Sequence, residues 1–139
     1  MPTLSCLCAS LRRASRVLTQ HYDEALRPLG LRATQFTILQ ALSLVGEVSQ
    51  GKLGEILAMD STTLTRTLEI MCSHGWIVKR PGKDRRERRL RLSKYGEAQL
   101  NRALSSWQAV QKRLRNQLGN GRWDNLMNLV NEVTSAVTE

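Results

Sequence analysis

The sequence is poor in aromatic residues. Phe, Trp and Tyr make up 4% of its 139 residues, and no predicted strand carries a row of them. Proteins that bind RNA or single-stranded nucleic acid commonly stack bases on aromatic side chains. The shortage therefore argues against that class of partner, although the positive charge of the chain would fit it equally well.

Cysteine and histidine are scarce as well. The chain has three cysteines (Cys6, Cys8 and Cys72) and two histidines (His21 and His74). An odd number of cysteines without a signal-peptide pattern argues against a disulfide scaffold. No spacing among these side chains matches a zinc site. We therefore predict no metal and no cofactor.

The chain also lacks long apolar runs and catalytic constellations. No apolar run is long enough to span a bilayer, and the N-terminus has no signal-peptide pattern, so we expect a cytoplasmic protein without a membrane partner. There is no Ser-His-Asp arrangement, no pair of carboxylates in an apolar setting and no Gly-rich phosphate loop. We predict that the protein is not an enzyme; a thiol peroxidase acting through Cys8 is the one chemistry left to consider.

Positive charge, in contrast, is abundant and concentrated. The net charge is +9, and residues 79–91 hold eight basic residues against two acidic ones. The basic residues are Lys79, Arg80, Lys83, Arg85, Arg86, Arg88, Arg89 and Arg91. A surface that binds a polyanion needs such a concentration, whereas a solubilising loop, the alternative, rarely does.

Residues 48–92 have the order of a winged helix-turn-helix. The pattern predicts a helix at 50–57 capped by Ser49, a turn at 58–59, a helix at 61–74, and strands at 76–78 and 88–92 around a tip at 81–87. Residues 47–49 are a candidate third strand. We expect the helix at 50–57 to bury Leu53, Ile56 and Leu57, and the returning strand to point Leu90 and Leu92 inward and Arg89 and Arg91 outward. These elements present one helix and one hairpin to a duplex.

The helix at 61–74 begins with small hydroxyl residues, which are poor helix formers. They are useful if the helix N-terminus meets DNA, because its backbone N–H groups attract phosphate and short side chains let it sit deep in the groove. The candidate contacts are Ser61, Thr62, Thr63, Thr65 and Arg66, the last suited to donate two bonds to guanine. The alternative is that the hydroxyls only cap and solvate the helix.

The hairpin tip supplies a second set of candidate DNA contacts. These are Lys83, Asp84, Arg85, Arg86 and Arg88. Arginine is favoured in a narrow minor groove by its negative potential, so Arg85 or Arg86 is predicted to enter one. We expect Asp84 to hold the tip by bonding backbone or a nearby arginine; otherwise it is an ordinary turn residue.

Long amphipathic helices flank this module. Apolar residues recur at helical spacing over residues 4–27, 93–118 and 122–137, while 33–44 forms a shorter helix. Pro28 and Gly30 end the first helix, and 119–121 (Gly-Asn-Gly) break the chain between the last two. Such apolar surface near both ends favours pairing with a second chain. We predict a mainly α fold with a small β-hairpin, a winged helix-turn-helix with N- and C-terminal dimerisation helices.

Several segments together resemble the MarR family of bacterial transcription regulators. They are residues 26–42 (LRPLGLRATQFTILQAL), 53–75 and 84–96 (DRRERRLRLSKYG), the last with Asp84, Arg86, Leu92, Ser93 and Gly96 at the positions of the family's wing signature. Arg32 departs from the pattern, since many relatives have Thr there. The resemblance covers nearly the whole chain and implies a homodimer on a palindromic operator in double-stranded DNA, usually repressing and released by a small ligand or by oxidation.

The resemblance also implies a division of the chain. Residues 1–139 form one MarR-type domain, in which 33–92 is the DNA-binding module and 1–30 and 93–139 are dimerisation helices. The competing interpretation of the same charge is a redox-insensitive, non-specific architectural protein that binds nucleic acid without a discrete site.

A narrower resemblance concerns the N-terminal cysteines. Peroxide sensors of the OhrR type carry a reactive cysteine near the start of the first helix, and Cys8 lies at that position. Tyr22 matches one tyrosine that hydrogen-bonds the cysteine there, but Arg12 replaces the other. Arg12 lies one turn after Cys8, where its charge would favour the oxidisable thiolate. The resemblance implies a peroxide effector; the alternative is that Cys8 is a small apolar residue in an interface.

Overall fold

The computed structural model describes residues 4–138, with side chains through residue 136. Within this range the chain forms six α-helices and a three-stranded antiparallel sheet. The elements are α1 (Leu7–Leu26), α2 (Ala33–Val45), β1 (Val48–Ser49), α3 (Gln50–Leu57), α4 (Ser61–Ser73), β2 (Ile77–Pro81), β3 (Arg88–Leu92), α5 (Lys94–Leu118) and α6 (Asn120–Thr138), with a 3-10 turn at Arg27–Leu29. The mainly α fold with a hairpin and a candidate third strand agrees with the prediction.

Helix α1 starts later than predicted. Cys6 is extended (φ −82°, ψ 119°), and its sulfur accepts a hydrogen bond from the Ala9 N–H at 3.5 Å. A residue that caps a helix N-terminus has non-helical backbone angles, so the helix begins after it. The predicted start at residue 4 is therefore wrong by three residues.

The joint between α1 and α2 is held by side chains from neighbouring helices. The Asp23 carboxylate of α1 accepts from the Ala33 N–H at 2.7 Å, and Gln35 accepts from the Arg32 N–H at 3.0 Å. These bonds satisfy amides that every helix start leaves without an intrahelical partner. Arg32, the departure from the family pattern, thus sits at a helix start whose amides are capped by Asp23 and Gln35.

The sheet has the order β1-β3-β2, with Val48 opposite Leu90 and Ile77 opposite Leu92. Strand β2 lies at an edge and runs to Pro81, three residues beyond the predicted end, while Trp76 lies outside it. Proline is tolerated at an edge because no neighbouring strand needs its missing N–H. The strand prediction of 76–78 was too short.

The core lies between α2, the helix-turn-helix and the sheet. Ile38, Leu39, Leu64 and Leu90 are almost completely buried there, in one cluster that also includes Leu26, Phe36, Leu42, Leu53, Leu68, Met71, Ile77, Leu100 and Ala103. Leu90 is inward as predicted, and Leu92 packs against the cluster while half-buried.

Ile56 is the clear error in the predicted core, because 45% of its surface is exposed. Helix α3 packs on α4 through Gly54, where an added β-carbon would lie 3.4 Å from the Leu64 side chain. Because of this close approach, Leu53 and Gly54 face the core and Ile56 faces solvent.

Only Gly119 interrupts the chain between α5 and α6. It adopts φ 86°, and its N–H bonds to the Arg115 carbonyl oxygen at 2.8 Å. Asn120 and Gly121, which were predicted to be part of the break, belong to the first turn of α6. The first amides of a helix need no carbonyl partner within it, so polar and glycine residues are accommodated there.

Candidate nucleic-acid interface

Asp60 caps α4 and organises its hydroxyl-rich start. Its carboxylate accepts from the backbone N–H and from the hydroxyl of Thr63, both at 2.8 Å. These bonds, the backbone one foremost, lower the pKa of Asp60 and keep its charge at the positive end of the helix. Thr63 is thus engaged in capping, while Ser61 and Thr62 are exposed beside it.

Thr65 is held from the neighbouring helix. The Gln50 side-chain amide donates to the Thr65 hydroxyl at 2.9 Å, which ties the start of α3 to the second turn of α4. Ala58, in the left-handed region at φ 51°, makes the sharp turn between the two helices. Arg66 is exposed one residue further on. The helix-turn-helix therefore presents Arg66 from a helix whose position is fixed.

The hairpin tip is ordered by its own backbone and by Asp84. The Asp84 carboxylate accepts from the Arg86 N–H at 3.3 Å, a backbone bond that fits both the predicted role of Asp84 and an ordinary turn residue. Its carbonyl oxygen accepts from the Glu87 N–H at 3.0 Å, and Arg88 donates to the Arg85 carbonyl oxygen at 3.0 Å. Lys83, Arg85 and Arg86 project from this closed turn with exposed side chains.

A groove runs between the helix-turn-helix and the hairpin. It is lined from α3 and α4 by Ser49, Gln50, Gly51, Gly54, Glu55, Met59, Ser61, Leu64 and Thr65, and from the hairpin by Lys79 and residues 84–88. A second depression on α4 shares Ser61 and Thr65 with this groove and is also lined by Thr62, Arg66 and Glu69. The structure thus brings Ser61 and Thr65 of α4 together with Asp84, Arg85, Arg86 and Arg88 of the tip, and places Thr62 and Arg66 in the adjoining depression. Thr63 and Lys83 line neither of the two.

Sequence reasoning missed the place of two residues in this surface. Gln50 holds Thr65, and Lys79, counted only as part of the basic run, lines the groove from β2. The sequence predicts Asp60 or Ser61 as the cap of α4, and in the structure Asp60 is the cap. The bond from Gln50 to Thr65 requires the packing of α3 on α4, so no local pattern in the sequence indicates it.

Glu47 forms an ionic cluster at the base of the hairpin. Its carboxylate lies 2.6 Å from Arg80 and 3.6 Å from Arg89, and Arg89 also bonds Glu87 at 2.9 Å. The hydrogen bond from Arg80 is the main cause of a lowered pKa for Glu47. Arg89 points outward as predicted, and its guanidinium is held there between two carboxylates.

The N-terminal cysteines lie apart from the tyrosine assigned to them. Cys6 and Cys8 are exposed, while Tyr22 donates a hydrogen bond to the Gln111 side chain of α5. Burial raises the pKa of Tyr22. With a rise of about 1.5 Å per residue, Cys8 and Tyr22 are separated by roughly 21 Å along α1. A site containing both Cys8 and Tyr22 therefore requires a second chain, whereas Arg12 lies one helical turn from Cys8 in the same protomer.

The outer faces of the terminal helices carry exposed apolar side chains. Leu7 and Leu11 of α1 are 61% and 38% exposed, and Leu126, Met127 and Val130 of α6 are 41–46% exposed.

No group of His, Cys, Asp and Glu side chains suited to a metal ion occurs in the described part of the chain. None of the helices within residues 4–138 has the length and apolar character to cross a bilayer.

The sequence and the fold both match known proteins, and these matches agree with one another. The MarR family's sequence model matches residues 29–87. The fold is similar to that of the Mycobacterium tuberculosis transcriptional regulator MosR in complex with DNA, at 35% identity over 95% of this chain and 98% of that one, with a TM-score of 0.81.

Two further comparisons agree. A mutant Escherichia coli MarR complexed with operator DNA shares the fold at 24% identity and a TM-score of 0.82, over 91% of this chain and 92% of that one. The Bacillus subtilis HTH-type transcriptional regulator YwoH is 30% identical over 91 residues, which are 66% of this chain and 66% of YwoH. The chain therefore matches just under two thirds of the length of that relative. All three relatives are transcriptional regulators, in agreement with the prediction that the protein is not an enzyme.

Proposed function

The chain belongs to the MarR family of transcriptional regulators, and from this premise we propose that it is a repressor that binds a palindromic operator as a homodimer. The observation that carries the proposal is the single surface formed by α4 and the hairpin tip. A helix N-terminus rich in hydroxyls beside an arginine-rich turn suits a major groove and the adjacent minor groove. The DNA complexes of MosR and of E. coli MarR support this use of the fold.

Two copies are needed to make the interface specific. In a symmetric dimer each protomer reads one half-site, and the two α4 helices lie about one DNA turn apart, roughly 34–36 Å. The exposed apolar faces of α1 and α6 are the surfaces proposed to join the protomers. Residues 33–92 would then be the reading unit, the part of each protomer that contacts DNA. Residues 1–30 and 93–139 would join the two protomers and hold their reading units at this separation.

We assign the DNA contacts according to the hydrogen bonds that each side chain already makes within the protein. Ser61, Thr62 and Thr65 meet the backbone or thymine methyl groups, and Arg66 reads a guanine. Thr63, Asp84 and Arg88 have bonds that shape the interface, while Lys83, Arg85 and Arg86 reach phosphate or the minor groove. The division separates residues that read sequence from those that supply affinity.

A non-specific architectural protein is the competing function. It would share the phosphate contacts but would protect no discrete site. Footprinting of the pure protein on the DNA upstream of its own coding sequence separates the two, because a repressor protects one short palindrome and an architectural protein protects none.

Substitution of two arginines tests the assignment. Arg66→Ala should reduce the ratio of operator to random-duplex affinity by roughly 5- to 150-fold for each half-site, because a bidentate base contact is worth about 1–3 kcal/mol. Arg86→Ala should weaken both complexes alike and reduce the salt slope by about 0.9 for each phosphate that the variant no longer neutralises. The affinities are measured by fluorescence anisotropy between about 50 and 200 mM salt, the range over which this dependence is steep.

Arg27→Ala is the matched control, since it removes the same charge from an exposed position between α1 and α2. It should leave both the ratio and the slope close to wild type. An unaltered ratio for Arg66→Ala would exclude base reading by this residue, and an unaltered slope for Arg86→Ala would exclude its phosphate contact.

We further propose that release is controlled by a small ligand or by thiol oxidation, with Cys8 as the sensing thiol. The exposure of Cys8 near the start of α1, one turn from Arg12, supports the second route. The Cys8 thiolate attacks the terminal oxygen of an organic hydroperoxide, the O–O bond breaks, and the alkoxide leaves and takes a proton as the alcohol. Sulfur loses two electrons and becomes a sulfenic acid.

Peroxide treatment tests this route. Wild-type protein should lose operator affinity about 5- to 150-fold, the usual range of a regulatory coupling. Cys8→Ser should lose the response, while Cys72→Ser, which replaces a half-buried thiol, should keep it. An equal loss for wild type and Cys8→Ser would exclude Cys8 as the sensor and leave the small-ligand route.

A further inference from the structure

The ionic cluster around Glu47 involves two of the eight basic residues of the hairpin region. Glu47 precedes β1, and its carboxylate contacts Arg80 on β2 and Arg89 on β3. Arg89 also donates to the Glu47 carbonyl oxygen at 3.4 Å. The cluster therefore joins all three strands of the sheet through one acidic residue.

The pairing of the strands explains why an acid is needed here. Arg80 and Arg89 are direct cross-strand partners, so their side chains emerge on the same face of the hairpin. Like charges directly opposite each other in a sheet repel. This face is the outer one, because the alternate positions Leu90 and Ile77 are buried in the core.

We infer that Glu47 is a built-in counter-ion that withholds Arg80 and Arg89 from DNA phosphate and confines phosphate binding to the hairpin tip and groove. The inference rests on the proposed DNA-binding function. Phosphate contacts add affinity for every sequence alike, whereas base contacts discriminate. Neutralising two arginines thus lowers the affinity for operator and random DNA alike, while leaving the contacts of Arg66 in place.

The charge state of Glu47 fits this role. The Arg80 hydrogen bond and the charges of Arg80 and Arg89 lower the Glu47 pKa. A carboxyl group with a lowered pKa stays ionised even when the pH falls to the ordinary pKa of a glutamate. The counter-ion is therefore present throughout the neutral range. Arg89 is constrained further by Glu87, which leaves Arg80, with 60% of its side chain exposed, as the arginine most readily released.

A double-mutant cycle on Glu47 and Arg80 tests the inference. The variants are Glu47→Gln, Arg80→Gln and the pair, each measured against operator and random duplex as a function of salt. Glu47→Gln should raise the affinity for random duplex about 5- to 10-fold at about 0.1 M salt for each protomer in which Arg80 reaches phosphate. The slope of log affinity against log salt should become steeper by about 0.9 for each such contact. Operator affinity should rise by the same factor, so the operator-to-random ratio should stay close to wild type.

Arg80→Gln alone should change neither affinity nor slope, because Arg80 is already engaged by Glu47. In the Glu47→Gln background the same change should restore the wild-type slope. A general effect of net charge would be additive, so Arg80→Gln would weaken binding in the wild type as much as in the Glu47→Gln background. A released arginine instead gives an effect of Arg80→Gln in the Glu47→Gln background only. Thermal unfolding of each variant checks that the fold is retained.

Two results would overturn the inference. One is a reduced salt slope for Arg80→Gln alone, which would mean that Arg80 contacts phosphate in the wild type. The other is additive behaviour across the cycle in a protein that still prefers its operator. If instead the wild type shows no preference for any operator over random duplex, the proposed function itself fails, and the two failures are thereby distinguished.

Discussion

Gly96→Ala should destabilise the protein by about 3 kcal/mol or more, because the added methyl group has no space. A β-carbon at position 96 would overlap the carbonyl oxygen of Trp76, a backbone atom that cannot swing away. That carbonyl is fixed because it also accepts from the Ser93 N–H at 3.0 Å. For a chain of this size, such a loss lowers the unfolding midpoint by roughly 10 °C.

The size of the effect follows from what meets at this position. The Ser93 hydroxyl donates to the Gly75 carbonyl oxygen at 2.5 Å and accepts from the Gly96 N–H at 3.1 Å. Serine thus joins the end of α4, the end of β3 and the start of α5. Any shift that relieved the overlap at Gly96 would break these bonds, so the local structure cannot relax cheaply.

Gly51→Ala is the control for this prediction. Gly51 is also helical, but no atom outside its own helical turn lies within 4 Å of the place that an alanine β-carbon would take, so the change should be neutral or should stabilise by up to about 1 kcal/mol. Both variants are compared by thermal and urea unfolding monitored by circular dichroism. A Gly96→Ala protein that unfolds like wild type would show that α5 does not start against the Trp76 carbonyl.

The elements that could be predicted from the sequence are those set by local signals. Ser49 and Ser93 each accept from a backbone N–H three residues on, at 3.1 Å, and begin α3 and α5 where a capping serine predicts a helix start. Helix α3 (Gln50–Leu57) agrees with the predicted bounds. Such signals act over three or four residues, so a single sequence contains all that is needed to find them.

The pairings that could not be predicted join distant positions. Glu47 and Arg80 are 33 residues apart, and Tyr22 and Gln111 are 89 residues apart. Which acid meets which base depends on the register of the sheet and the packing of α1 on α5, neither of which has a local signal. Counting charge over residues 79–91 therefore gave Arg80 and Arg89 the same weight as the other basic residues, whereas the structure pairs both with acids.

The exposure of Ile56 has a related origin. Spacing places Leu53, Ile56 and Leu57 on one side of a short helix, and apolar character suggests that all three are buried. The contact of Gly54 with Leu64 rotates the helix so that its glycine faces the core. The orientation of the helix depends on the missing side chain of Gly54, and a pattern of apolar side chains does not show this.

In the proposed dimer the terminal helices matter for DNA binding, because an interface built on one protomer would read only half of a palindrome. The affinity gained by linking two reading units is about 10²–10⁴-fold over one unit, provided that their separation matches the duplex. Helices α1 and α6 carry apolar side chains that the isolated protomer leaves exposed, among them Leu126 and Val130. These two lie four residues apart and therefore on one face of α6.

The double variant Leu126→Asp, Val130→Asp should be a folded monomer whose operator affinity is reduced about 100-fold or more, because charged groups in an apolar interface prevent pairing and remove the second half-site. Asn125→Asp, Asn128→Asp adds the same charge to exposed positions of the same helix and should remain dimeric. Sedimentation equilibrium gives the state of assembly, and anisotropy gives the affinity. A dimeric apolar-to-Asp variant would place the interface elsewhere; a monomer that still bound the operator tightly would mean that one reading unit suffices, and the proposal of a dimeric repressor would fail.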